Sequence, residues 1–356
     1  MKKLYKVSFI VSIVLVLTML FTACAPATEP EAPATEPEAS EAGEAPFKAA
    51  MLTDLGGLAG SDEVKGFSDL GWDALLQARD DLGIEVTLLE AKELADLEPN
   101  LRKMASEGYQ FVVGVGFLFT DAIDVVAPDF PDTHFAIVDS VVEQPNVASI
   151  VFGEEQGSFL VGAIAAGMSE TGVIGFIGGM ESPLIEKFEA GYVAGARAIN
   201  PDIRVLTNYA GNFTDVAAGK EISLTQNNQG ADVIYSAAGS VGLGAIQAAE
   251  DQGFWAIGVD IDQDGLAPGH VLTSMLKHVE IALYDVLKSA YEGNFEGGIH
   301  HYDLAVGGVG YSDLTYTRDA IPQDLLDQVD ALAERIIAGE IDVPTLRADA
   351  DVFVLP

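Results

Sequence analysis

Residues 232–260 read DVIYSAAGSVGLGAIQAAEDQGFWAIGVD. A β-rich apolar run at 232–237 meets a glycine-rich turn, a helical pattern fills 241–252, and a second β-rich run occupies 255–259. Near-continuous apolar strands joined through a helix indicate a parallel sheet covered on both faces. The same alternation extends outward in both directions. Further strands are predicted at 47–53, 84–89, 111–115, 134–138, 147–152, 173–177, 204–209 and 271–275. Helices are predicted near 69–82, 97–107, 119–128, 155–168, 184–199, 215–229 and 278–292. Ten such strands exceed one ordinary doubly wound sheet, so two α/β lobes are the better packing. A last helix near 323–338 has Gly339 as its stop.

The 356 residues are 49% hydrophobic and 21% charged, enough to bury a large core in about two domains. The net charge of −37 and the lack of a basic stripe argue against a nucleic-acid partner and against electrostatic docking on anionic lipid. Cys24 is the only cysteine, which excludes disulfide frameworks and metal–thiolate sites. At the N-terminus Lys2, Lys3 and Lys6 precede an apolar run from Val7 to Phe21, then Thr22, Ala23 and Cys24. This is the pattern of an export signal, residues 1–23. The lone cysteine resembles the lipidated cysteine of a bacterial lipobox, with Phe21 where Leu is usual; an uncleaved single-span anchor is the alternative. Both place the remainder outside the cytoplasm, tethered to the cell membrane. Residues 24–46, with Ala-Pro-Ala-Thr-Glu-Pro-Glu occurring twice, are expected to form a disordered, extended Pro/Glu/Ala tether.

Acids stand at strand ends: Asp54, Asp139 and Asp260. Ligands of open α/β sheets bind beyond the carboxyl ends of the strands, where such acids can accept hydrogen bonds from a polyol; each could instead cap the next helix. Phe67 and Phe213 lie in polar loops and could sandwich a planar heterocycle, or fold back on the core. The stretch Gly239-Ser-Val-Gly-Leu-Gly244 lacks the spacing of a dinucleotide loop and reads as a tight turn whose backbone approaches a small ligand. No phosphate loop, His-Glu-x-x-His helix or Gly-x-Ser-x-Gly elbow occurs. The five histidines are His134, His270, His278, His300 and His301; only the last two adjoin, and strand neighbours face opposite ways, so no metal site is expected. No cofactor and no catalytic group are expected.

An ordered set of segments resembles the basic membrane protein family, the purine nucleoside receptor A-like lipoproteins of ABC transporters. They include Asp54-Leu-Gly-Gly57, Gly66-Phe-Ser-Asp69, Glu155-Gln-Gly-Ser-Phe-Leu-Val-Gly162, Gly175-Phe-Ile-Gly-Gly-Met180, Gly258-Val-Asp-Ile-Asp-Gln263 and Leu272-Thr-Ser-Met-Leu-Lys277. The resemblance implies a type I periplasmic-binding-protein fold: two doubly wound Rossmann-like lobes with three crossovers. The lobes would span 47–150 plus 277–305, and 151–276 plus 306–356. It further implies a nucleoside held between Phe67 and Phe213, with Asp54, Ser68 and Asp121 as polar contacts of the first lobe. Gly239 would offer backbone, and Asp260 with Lys277 would grip the ribose hydroxyls. Ser68 stands where the family usually has Asn, and the loop at 58–65 is longer than usual, so base readout would differ. The implied role is capture of nucleosides, purine nucleosides by family pattern, for ABC permease subunits; nothing in the sequence demands an oligomer, so a monomer is the default. A sensing receptor of the same fold and an extracellular nucleoside hydrolase are the alternatives.

Overall fold

The computed structural model describes residues 46–59 and 64–356. The signal segment, Cys24, most of the tether and residues 60–63 of the glycine-rich loop lie outside the described residues. The strands are β1 (Lys48–Thr53), β2 (Glu85–Glu90), β3 (Phe111–Val115), β4 (His134–Val138), β5 (Val147–Phe152) and β6 (Val173–Gly178). They continue with β7 (Arg204–Tyr209), β8 (Val233–Ala237), β9 (Trp255–Asp260), β10 (Val271–Lys277), β11 (Gly298–Tyr302) and β12 (Val309–Tyr311). The helices are α1 (Phe67–Leu82), α2 (Leu97–Ser106), α3 (Thr120–Val126), α4 (Glu154–Met168) and α5 (Pro183–Ile199). After them come α6 (Val216–Asn228), α7 (Val241–Gln252), α8 (Val279–Tyr291), α9 (Gln323–Ile337) and α10 (Arg347–Ala350).

Two six-stranded sheets result, ordered β11-β5-β4-β3-β1-β2 and β12-β10-β9-β8-β6-β7. All pairings are parallel except β10 with β12. Every residue of β3 and β8 is buried, as sheets covered on both faces require. The chain passes between the sheets three times: after β5, after β10 and between β11 and β12. Lys277 pairs with Val309 in the second sheet, so the second passage begins after it rather than at it. Each sheet reverses its winding direction at one point, between β1 and β3 and between β6 and β8. Such switch points open a crevice at the strands' carboxyl ends.

Two strands escaped the sequence reading. β11 is Gly-Ile-His-His-Tyr at a sheet edge and is largely exposed, so it carries no buried apolar run. β12 has only three residues.

The second lobe is tightened by helices α4 and α5, whose backbones touch. A Cβ at Gly195 would stand 1.9 Å from the Phe159 carbonyl oxygen, and one at Gly191 2.1 Å from that of Glu155. Gly195→Ala must therefore separate the helices, at a cost of about 1–3 kcal/mol. A fall in thermal midpoint of several degrees is expected, measurable by calorimetry.

Candidate functional site

Residues from both switch points face one gap. From the first sheet it is lined by Asp54, Phe67, Ser68, Gly116, Phe117 and Asp139, and from the second by Phe188, Phe213, Gly239, Asp260, Gln263 and Lys277, among others. The gap, counted with its solvent-open mouth, encloses about 970 Å³.

The apolar walls are seated by local chemistry. Phe67 opens α1, and the Asp69 carboxylate accepts the N–H groups of Gly66 at 2.9 Å and Ala59 at 3.1 Å, which fixes the loop before the helix. Ser68, the next helical residue, is 8% exposed. Across the gap, Asn212 Oδ1 accepts from the N–H groups of Thr214 at 2.9 Å and Asp215 at 2.8 Å, folding the loop that carries Phe213. The Phe213 ring lies directly on Gly179, where a Cβ would come within 2.1 Å of it. Gly239 has φ +58°, and a Cβ there would stand 3.0 Å from the Phe213 carbonyl oxygen. Glycine is needed at both places, one for contact and one for conformation.

The polar floor is an ionic cluster. Lys277, 1% exposed at the end of β10, places its Nζ 2.5 Å from Asp139 Oδ1 and 3.1 Å from Glu154 Oε1. Its ammonium also lies 5.2, 5.0 and 5.5 Å from the ring centres of Phe67, Phe152 and Phe188. Glu154 reaches Lys187 of the second lobe through its other oxygen, at 3.3 Å. Asp260 acts on Lys277 through its charge without an ion-pair contact; the ammonium's direct partners are Asp139 and Glu154. Asp139 and Asp260 have φ of +71° and +67°. This left-handed region is costly for side-chain-bearing residues and is tolerated where a site over-determines it.

Burial pushes Asp139 up to about 7 and Asp260 to about 6, although the Lys277 charge pulls both back. Burial also raises Glu155 and Asp264 to about 7, and lifts Asp54, whose Oδ1 accepts from the Gly56 N–H at 3.0 Å. Burial alone would lower Lys277, but the charges of Asp139, Glu154 and Asp260 outweigh it and raise the ammonium above its ordinary value. Each raised carboxyl keeps its proton to a higher pH in the folded than in the unfolded chain. The stability this supplies is complete below about pH 4 and lost as pH rises through about 6 to 7. The thermal midpoint of the ligand-free protein is expected to be higher at about pH 5.5 than at about pH 8, read by scanning calorimetry.

Seven of the eight expected ligand residues line this gap: Asp54, Phe67, Ser68, Phe213, Gly239, Asp260 and Lys277. Asp121 does not, which corrects that expectation. A single helical turn at Phe117–Phe119 fills the space after β3, so Gly116 and Phe117 reach the gap while Asp121 stands exposed in the first turn of α3. The acid that the first lobe supplies to the ionic cluster is Asp139, visible in the sequence as a strand-end acid. Glu154 and Phe117 were not singled out; an acid directly after β5, within an apolar stretch, was the available signal. Among the described residues no cluster of His, Cys, Asp or Glu is arranged to hold a metal ion, and no helix is long and apolar enough to cross a membrane.

Two doubly wound lobes with a deep, partly aromatic gap between them define a bilobal solute-binding protein. The chain belongs to the family described as ABC transporter substrate-binding protein PnrA-like, which matches residues 47–347. It is 36% identical to the ABC transporter nucleoside-binding protein BmpA of Lactococcus lactis, over 84% of this chain and 89% of that one. Basic membrane protein A of Borreliella burgdorferi is 33% identical, over 86% and 90% respectively. Among solved structures, an ABC transporter system solute-binding protein from Aeropyrum pernix superposes with a TM-score of 0.79 at 28% identity, covering 86% of this chain and 96% of that one.

Proposed function

We propose that this protein captures nucleosides, with purine nucleosides preferred, and presents them to the permease subunits of an ABC importer. It would work outside the cytoplasm as a monomer, held to the membrane through a lipidated Cys24. The observation that carries the reading is that one gap combines two aromatic walls with a buried ammonium–carboxylate floor. Phe67 and Phe213 suit the two faces of a base, each stack contributing about 1–3 kcal/mol. Ionised Asp139 and Asp260 accept hydrogen bonds from vicinal ribose hydroxyls, while Lys277 donates to a sugar oxygen and balances their charge. Asp54, Ser68 and the backbone at Gly239 are left for the edge of the base. Kinship with a nucleoside-binding protein supports the same ligand class.

Nothing in this scheme transforms the ligand: the acids of the gap are placed to accept hydrogen bonds from its hydroxyls. Mass spectrometry of small molecules released from the purified chain should find a nucleoside. Inosine incubated with the protein should be recovered intact, whereas release of free hypoxanthine would establish a hydrolase instead.

Affinity should also depend on pH. Hydroxyl donors favour the ionised acid, so the ligand lowers the Asp260 carboxyl below its free value of about 6. Binding of inosine should therefore tighten as pH rises from about 5 to about 7 and release protons at the acid end. Calorimetry in buffers of different ionisation enthalpy measures that release.

A further inference from the structure

Phe117 enters none of the roles above, yet it is half-buried in the lining of the gap. It belongs to the first lobe, on the turn after β3, while Phe213 belongs to the second, on the loop after β7. Their ring centres are 6.3 Å apart with planes at 72°, an edge-to-face contact. Among the described residues, every other ring pair lies within one lobe.

Both rings stand on fixed supports. Phe119, on the same turn as Phe117, is fully buried, and it lies so close to Gly114 that a Cβ there would meet its ring at 2.5 Å. Thr120 Oγ1 donates to the Phe117 carbonyl at 2.5 Å and meets Ser140 Oγ at 2.7 Å, tying the turn to the residue beside Asp139. Gly116 has φ +112°, and a Cβ there would stand 3.1 Å from Asp54 Oδ2. Phe213 rests on Gly179 and on the turn closed by Asn212. With each ring fixed to its own lobe, their contact depends on the separation of the lobes. It forms on closing and breaks on opening, so it adds to the closed state alone.

We propose that Phe117 is a ligand-retaining residue: packed edge-on against Phe213 across the gap, it forms a third aromatic wall and latches the lobes over a bound planar ligand. An edge-to-face pair of this kind favours the closed state by roughly 2- to 12-fold. The latch deepens the nucleoside reading, on which its kinetic consequence rests. A ligand that leaves only through the open state leaves more slowly by that factor.

The test has two arms. In stopped-flow dissociation of inosine, Phe117→Ala should raise the off-rate about 2- to 12-fold, with the on-rate changed less than about twofold. The Phe117→Ala effect should fall below about twofold in a Phe213→Ala background, where the contact is already gone. An unchanged off-rate, or the same factor in both backgrounds, overturns the proposal. The second arm needs no ligand. Spin labels at Val125→Cys on α3 and Gln247→Cys on α7, both exposed, with Cys24→Ser, report the distance between the lobes. Phe117→Ala should deplete the short-distance population, and an identical distribution overturns the latch. If the unsubstituted chain binds no inosine, the nucleoside reading fails, and the distance arm alone decides the latch.

Discussion

Lys277→Met is expected to weaken nucleoside binding by at least about 100-fold and to destabilise the ligand-free protein at neutral pH. Methionine preserves the length and apolar stem of the lysine, so the three surrounding rings keep their packing and only the charge is lost. That charge lies against Asp139 and Glu154, both buried. Removing one partner of a buried ion cluster costs about 3–5 kcal/mol, because Asp139 is left without a cation in contact while Glu154 keeps only Lys187. Asp139, left without its cation, answers by holding its proton, and a protonated acid is a poorer acceptor for ribose hydroxyls. The signs follow from that response. With the ammonium gone, the folded-state values of Asp139 and Asp260 rise further above their unfolded values, so the lost stability should return as pH falls towards about 5. Thermal denaturation of both proteins across pH, with calorimetric titration of inosine at neutral pH, checks both halves of the expectation. A variant that binds normally at neutral pH removes Lys277 from the site.

Asp260→Asn should do the reverse to stability while still impairing function. Asp260 is half-buried in the gap, has no cation in ion-pair contact and adopts φ +67°. Burial raises its carboxyl to about 6, so keeping it ionised at neutral pH works against folding. Asparagine keeps the shape, tolerates the left-handed conformation and carries no charge. The thermal midpoint should therefore rise at about pH 8, and the gain should shrink as pH falls below about 6 and disappear only below about pH 4, where Asp260 is protonated in the unfolded chain as well. Ribose binding should suffer, because a hydrogen bond to a charged acceptor contributes about 1.5–3 kcal/mol, or roughly 10- to 150-fold in affinity. A protein made more stable and less able to bind has the signature of a residue kept for its ligand. Unchanged affinity for inosine would refute the ribose role of Asp260.

The contrast between these two residues shows where the sequence was informative. The alternation of apolar runs with helical patterns was enough for ten of the twelve strands, because central strands buried on both faces leave an uninterrupted apolar run. Edge strands leave no such run: β11 is bordered by solvent and reads as loop. Strand-end position correctly put Asp54 and Asp260 at the gap, since the carboxyl edges of both sheets face it. It also marked Asp139, which lies in the gap, whereas Asp121, named through the resemblance, lies outside it. Asp121 follows the helical turn at Phe117–Phe119 and stands exposed in the first turn of α3. Ion-pair partners were least legible. Lys277 pairs with an acid 138 positions earlier and another 123 positions earlier, by arithmetic on its contacts with Asp139 and Glu154. Only the crossing of the chain between lobes brings those residues together. The Phe117–Phe213 contact is hidden for the same reason, since neither loop indicates how near the other lobe stands.

Nucleoside capture requires a gap that holds a base between aromatic walls and a sugar on a charged floor. Calorimetric titration of the full chain with inosine, guanosine, adenosine, cytidine, free hypoxanthine and glucose tests it most directly. One-to-one binding of a purine nucleoside, stronger than that of hypoxanthine and lost in Lys277→Met, is the predicted result. Binding of glucose with no response to any nucleoside would contradict it.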